Sequence, residues 1–277
     1  MKIDSHLHFW NYDAVKDAWI TDEMDVLKND YVPRQLLPLC ANEGIDAGVA
    51  VQADQSENET EYLVGFSREF NFIKGVVGWV DLRAQNISDR LDYFSQYHIV
   101  KGYRHIIQAE AQEDFLLRAD FCSGIAELSR RGLTYDVLIY PRHLAYALDF
   151  VRKFPDLRLV IDHIAKPDIR GRQFEAWKKA LEPFGKEQNV YCKIAGLTTQ
   201  ADWKRWAYGD FTRYLDTVLS IFGADRLMFG SDWPVCLVGA DYKQTCHVLA
   251  NYIEQLSKNE QKKIWGENCI QFYNLNI

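Results

Sequence analysis

A single-domain (β/α)8 barrel is the fold class this sequence predicts, on three observations. Eight short apolar, β-branched runs recur along the 277 residues, each is followed by a segment of helical periodicity, and no G-x-G-x-x-G fingerprint follows the first run. Strands alternating with helices imply βαβ units and a parallel sheet. Eight such units in a chain of this length fit a closed barrel better than an open, doubly wound sheet.

The units follow in order. KIDSHLHF precedes PRQLLPLCANEG, and DAGVAVQAD precedes ETEYLVGFSREF. FIKGVVGWVD precedes SDRLDYFSQYH, and VKGYRHII precedes DFCSGIAELSRRG. LTYDVLIY precedes RHLAYALDFVRKF, and LRLVIDHI precedes FEAWKKALEPFGK. VYCKIAGL precedes DFTRYLDTVLSIFG, and RLMFGSDWP precedes YKQTCHVLANYIEQLSK. A last helix, NEQKKIWGENCIQFYNL, closes the chain. No linker, low-complexity tract or change of composition interrupts residues 1–277, so one domain is expected to span them.

Composition narrows the function. A hydrophobic fraction of 48% fills a sizeable core, and no apolar run approaches the roughly 18 residues of a membrane span. The net charge of −7 argues against a nucleic-acid partner and gives an anionic membrane no support, but leaves a small-molecule ligand open. The first strand starts at residue 2, which leaves no room for a secretory leader, so a cytoplasmic location is expected. Cys40, Cys122, Cys192, Cys236, Cys246 and Cys269 show no C-x-x-C spacing and read as reduced thiols.

Polar residues gather late in otherwise apolar strands, where buried charge is costly unless it is paired or used. Side chains two apart share a strand face, so Asp4, His6 and His8 are expected inward, with Ile3 and Leu7 toward helices. The same parity groups Ala50, Gln52 and Asp54, then Val77, Trp79 and Asp81. The fourth strand sets Lys101, Tyr103 and His105 opposite Arg104, and the fifth groups Asp136, Leu138 and Tyr140. The sixth carries Leu159, Ile161 and His163, which puts Asp162 on the helix side, so that either a bulge intervenes or Asp162 is paired there. The last two offer Tyr191, Lys193 and Ala195, then Met228, Gly230 and Asp232. Active sites of such barrels sit at the C-terminal ends of the strands. Two imidazoles side by side there, beside an acid on the last strand, have no packing rationale and mark a catalytic mouth.

Other polar residues have plainer readings. A single late-strand histidine such as His105 is more often a hydrogen-bonded structural residue than a ligand. His98 and His247 fall in helical segments, His143 lies near a helix start, and Lys166 in DHIAKPD reads as a cap or as the partner of a carboxylate. Trp10, Trp79 and Trp233 are either core or apolar walls for a ring-shaped ligand.

DSHLHFW, DHIAKP, FGSDWPV and the closing WGENCIQFYNL together resemble the amidohydrolase superfamily. HFW, GWVDL, KGYRH, IDHIAKP and YCKIAGL, in that order, resemble the sugar-lactonase branch of its amidohydrolase 2 group, over nearly residues 1 to 275. The resemblance implies a hydrolase that opens a sugar lactone, such as fuconolactone or rhamnonolactone, to the sugar acid. His6, His8 and His163 match strand-1 and strand-6 histidines of the superfamily, and Asp232 matches the strand-8 aspartate that activates water. The fourth strand lacks a late bridging lysine or glutamate and the fifth ends in Tyr140, so a two-metal centre is not expected. One divalent ion on His6, His8, His163 and Asp232 suits zinc, yet the branch implies that no metal is obligatory. Asp232 would act as base, with His163 or the strand-1 pair orienting water and Arg104, His105 or Lys193 polarising the carbonyl. Trp10, Gln52, Trp79, Tyr140 and Lys193 would bind the sugar. A metal-dependent amidohydrolase or decarboxylase, or a barrel that binds a sugar acid without turnover, are the alternatives.

Overall fold

The computed structural model describes residues 1–277. Eight parallel strands stand in chain order: β1 (Ile3–Leu7), β2 (Ala47–Val51), β3 (Ile73–Gly78), β4 (Val100–His105), β5 (Thr134–Val137), β6 (Leu159–Ile161), β7 (Val190–Ile194) and β8 (Leu227–Phe229). Each pairs with the next, and the ring closes at the mouth through the backbone of candidate site residues. Asp232 N–H donates to the His6 carbonyl at 2.9 Å, and His8 N–H to that of Trp233 at 2.7 Å. The expected (β/α)8 barrel is the fold observed.

The main helices follow their strands: α1 (Pro33–Glu43), α2 (Glu57–Glu69), α3 (Ile87–Ser95), α4 (Ala119–Arg130), α5 (Leu144–Lys153), α6 (Phe174–Leu181), α7 (Gly209–Phe222) and α8 (Tyr242–Ile253). α1 shows the local logic. Pro33 opens it, where the missing N–H costs nothing, and Gly44 ends it in the left-handed region at φ 66°. α9 (Lys258–Lys262) and α10 (Asn268–Tyr273) close the chain. No helix is long and apolar enough to cross a membrane.

Two apolar layers form the core. The larger lies between strands and helices; the smaller fills the barrel with Ile3, Val49, Val51, Val77, Val160 and Met228. Cys269, Phe272, Tyr273 and Leu275 pack on the inner cluster and plug it. Lys101 Nζ and the Arg158 guanidinium donate to backbone carbonyls of this terminal segment and hold the plug in place. All six cysteines are free.

This packing corrects four parity readings. Ile3 faces the barrel interior, and a register shift between Asp4 and Leu7 releases Asp4 to Tyr242 Oη on α8 while His6 and His8 still face inward. On β2, Val49 and Val51 face inward, not the face that carries Ala50 and Gln52. On β4, Arg104 takes the inner face, while His105 stacks on Phe115 at 5.0 Å among the helices. On β6, Val160 and Asp162 are the inner residues, and Leu159 and Ile161 pack outward.

Glu59 on α2 illustrates a cost of burial. Its Oε1 accepts from Ala53 N–H at 3.1 Å, yet desolvation pushes the carboxyl up to about 7. A raised carboxyl pKa means the folded state holds the proton more tightly than the unfolded chain. The associated stability is therefore complete below pH 4.5 and is lost as pH rises through about 7, a loss on the order of 3 kcal/mol. Glu59→Gln keeps the acceptor and removes the charge. It is expected to raise the melting temperature at pH 8 and leave it unchanged at pH 4.5; equal melting temperatures at pH 8 would reject the account.

Candidate active site

The mouth of the barrel holds a cavity of about 250 Å³, lined on its polar side by His8, Arg104, Gln108, His163, Lys166 and Asp232. Trp10, Trp19, Ile106, Leu138 and Val235 supply apolar walls. Trp10 is fixed there by donating its indole N–H to the Asn29 carbonyl at 3.0 Å.

Three donor atoms converge at the floor. His8 Nδ1 lies 2.8 Å from the Val51 carbonyl, so Nδ1 carries the proton and Nε2 turns its lone pair to the cavity. His6 Nε2 is 3.1 Å from His8 Nε2, and Asp232 Oδ1 is 3.2 Å from His8 Nε2 and 3.8 Å from His6 Nε2. Lone pairs this close repel unless a proton or cation lies among them. The spacings are near the roughly 3.3 Å that metal–ligand bonds of about 2 Å impose on neighbouring tetrahedral ligands. His6, His8 and Asp232 therefore form a three-ligand set for a single divalent ion, which would compete with Arg104 Nη1, 3.1 Å from His6 Nε2, for one of its ligands. His163 groups separately, with His6 and Asp162, and its Nδ1 is 3.8 Å from Asp232 Oδ2.

Protonation follows from the surroundings. Burial drives His6, His8 and His163 below their ordinary value, so all three are neutral imidazoles at pH 7. Burial alone would raise Asp232, but His163, His8 and Lys166 outweigh it and hold its carboxyl below the usual range. The floor thus presents an ionised carboxylate among neutral imidazoles.

Beneath it lies a buried charge network. Asp162 accepts from Arg104 Nη1 at 3.0 Å and pairs with Lys193 Nζ at 3.1 Å and His6 Nδ1 at 3.3 Å. Lys193 also pairs with Asp136, whose carboxylate accepts from Tyr273 Oη of the terminal plug at 2.7 Å. Arg104 reaches His6 Nε2 at 3.1 Å and Gln52 Oε1 at 3.1 Å. Two cations and two anions balance, as a dry interior requires.

His163 reaches the cavity by an unusual route. β6 ends at Ile161, and His163, Ile164, Ala165 and Lys166 all take left-handed backbone conformations, with φ of 54°, 49°, 60° and 49°. Each costs about 1–2 kcal/mol for a residue with a Cβ. Trp177 Nε1–H holds the turn by donating to the Ile164 carbonyl at 2.8 Å. Gly196 makes room for it, since a Cβ there would come within 2.9 Å of His163 Nδ1. Asp232 shares the left-handed conformation, at φ 61°.

The remaining expected residues fall elsewhere. His105 pairs through Nε2 with Glu110 at 2.7 Å and receives Trp79 Nε1–H at 3.4 Å, so neither His105 nor Trp79 lines the cavity. Gln52 and Lys193 are fully buried behind the floor, where they brace Arg104 and Asp162. Tyr140 lies outside the lining, its ring 5.7 Å from Lys166 Nζ, and Trp233 packs with Phe9 and Tyr31 in the core. Lys166, Trp19 and Gln108 are lining residues that the sequence reading did not assign. Their signal was position alone: each sits in a loop after a strand's C-terminal end. Lys166 caps the turn with its backbone, donating its N–H to the His163 carbonyl at 2.8 Å; its side chain forms no ion pair with a carboxylate and is part of the cavity lining, and burial lowers the ammonium to about 8.

A family model described as Amidohydrolase matches residues 3–275. An L-fucono-1,5-lactonase of Burkholderia multivorans (strain ATCC 17616 / 249) is 37% identical over 99% of this chain and 96% of its own length. A Burkholderia ambifaria protein of the same name is 33% identical over 99% of this chain and 96% of its own length. The crystal structure of a Burkholderia multivorans amidohydrolase with bound zinc superposes with a TM-score of 0.95 at 37% identity, covering 100% of both chains. With an eight-stranded barrel and an H-x-H pair facing a strand-8 aspartate, this chain belongs to the amidohydrolase family.

Proposed function

We propose that this protein hydrolyses a sugar lactone, of the class of L-fucono-1,5-lactone, to the sugar acid. The observation that carries the reading is Asp232 set 3.2 Å from His8 Nε2 and 3.8 Å from His163 Nδ1 on the floor of a cavity with indole walls. The relatives named L-fucono-1,5-lactonase support the substrate class.

A lactone is a cyclic ester, so opening it needs a deprotonated water and a stabilised oxyanion. Asp232 takes a proton from water held by His8 or His163, and the hydroxide adds to the carbonyl carbon. Among Arg104, His105 and Lys193, Arg104 alone lines the cavity, and its charge supplies positive potential to the oxyanion. Collapse breaks the bond to the ring oxygen, and Asp232 returns its proton to the cavity so that the ring oxygen leaves as a hydroxyl. Trp10 and Trp19 offer flat apolar faces to the sugar ring. A zinc ion on His6, His8 and Asp232 would supply Lewis acidity to a bound oxygen.

The test is a pH-indicator assay of the purified protein on a panel of aldonolactones, with and without a strong chelator. Acid release that survives chelation supports lactone hydrolysis without an obligatory metal. Silence across the panel overturns the substrate class, and loss of activity on chelation assigns the metal an essential part.

A further inference from the structure

The cationic residues around the cavity differ in what their donors already serve. Arg104 commits Nη1 to Asp162 and His6 and Nη2 to Gln52, and its Nε is buried without a partner. Lys193 is enclosed between Asp136 and Asp162 and does not line the cavity. His105 is turned to Glu110. Lys166 differs from all three. Its side chain lines the same cavity as His163 and Asp232, and its ammonium, 5.7 Å from the centre of the Tyr140 ring, takes part in no ion pair or hydrogen bond with the protein. Four consecutive left-handed residues bring it there; Lys166 ends the turn in the left-handed conformation common at a helix C-terminus, and the strain falls on the residues before it, on the β-branched Ile164 above all. Strain of this kind persists where the surroundings impose it, here through the Trp177 bond to Ile164.

We propose that Lys166 is a catalytic residue of the lactone-opening reaction: its ammonium donates a hydrogen bond to the substrate carbonyl oxygen and stabilises the oxyanion formed when water adds. The inference rests on the lactone reading above and deepens it. No proton is transferred in this step. Arg104 contributes charge from behind, and Lys166 makes the contact. An ammonium on a cavity-lining side chain, with no carboxylate or carbonyl to serve, keeps its donors for an oxygen that gains charge, which favours the transition state over the ground state.

The experiment compares wild-type protein with Lys166→Met, Lys166→Arg and Lys166→Ala on L-fuconolactone, and measures binding of L-fucose, a pyranose whose C1 oxygen is a hydroxyl that gains no negative charge. Lys166→Met is expected to lower kcat at least a hundredfold, to leave the affinity for L-fucose within threefold, and to keep or raise the melting temperature. Lys166→Arg is expected to retain more activity than Lys166→Met, and added ethylammonium to raise the kcat of Lys166→Ala at least fivefold. A Lys166→Met kcat within threefold of wild type overturns the proposal. So does an equal loss of affinity for L-fucose, which would make Lys166 part of the ring-binding wall. If wild-type protein opens no lactone, the substrate reading falls and this proposal with it; an active wild type with an equally active Lys166→Met overturns this proposal alone.

Discussion

Asp232→Asn is expected to lower kcat by at least about two orders of magnitude while the melting temperature stays within a few degrees of wild type. The amide has the shape of the carboxylate but cannot accept a proton from water. Its N–H can donate to His8 Nε2, 3.2 Å away from the present Oδ1, so the packing of the floor is kept. The backbone closure of the barrel, from Asp232 N–H to the His6 carbonyl, does not depend on the side chain. Folded protein with near-normal turnover would sink the assignment of Asp232 as base. A large loss of melting temperature would instead give the carboxylate a structural part.

Asp162→Asn carries the largest expected effect on stability. Burial alone would raise the Asp162 carboxyl, but Lys193, His6 and Arg104 hold it well below the ordinary range. Its two oxygens face both buried cations, and Asp136 is the only other anion in the network. Asn would leave a surplus positive charge in the dry centre of the barrel, a defect that typically costs about 3–5 kcal/mol. Urea unfolding should show this as a lower midpoint at an unchanged slope. A shift of less than about 1 kcal/mol would mean that the network relaxes or admits water. His6 and Arg104 would also lose their shared support, so residual folded protein should have reduced turnover.

The two variants separate layers that sequence spacing merges. Asp232 lines the cavity, whereas Asp162, Lys193, Gln52 and Tyr273 act from behind it. The plug residue Tyr273 touches Asp136, so the terminal helix reaches the charge network from the opposite end of the barrel.

The sequence by itself determined the repeat of eight strand–helix units, because apolar periodicity and turn residues are local properties. It also brought His6, His8 and Asp232 to the same end of the barrel, because the two-residue spacing keeps the histidines on one face and Asp232 follows directly on the last strand. Which alternate set faces inward was decided by the tertiary structure. A register shift in β1 turns Ile3 in and Asp4 out, and the inner face of β4 belongs to Arg104 and not to His105. Period-two spacing defines two faces but cannot say which one the barrel buries, because bulges and strand ends set that choice. The left-handed run from His163 to Lys166 is the sharpest case. Histidine visits that conformation more readily than most residues, but Ile164 and Ala165 do not favour it, and packing against Trp177 and the gap left by Gly196 hold the run in place.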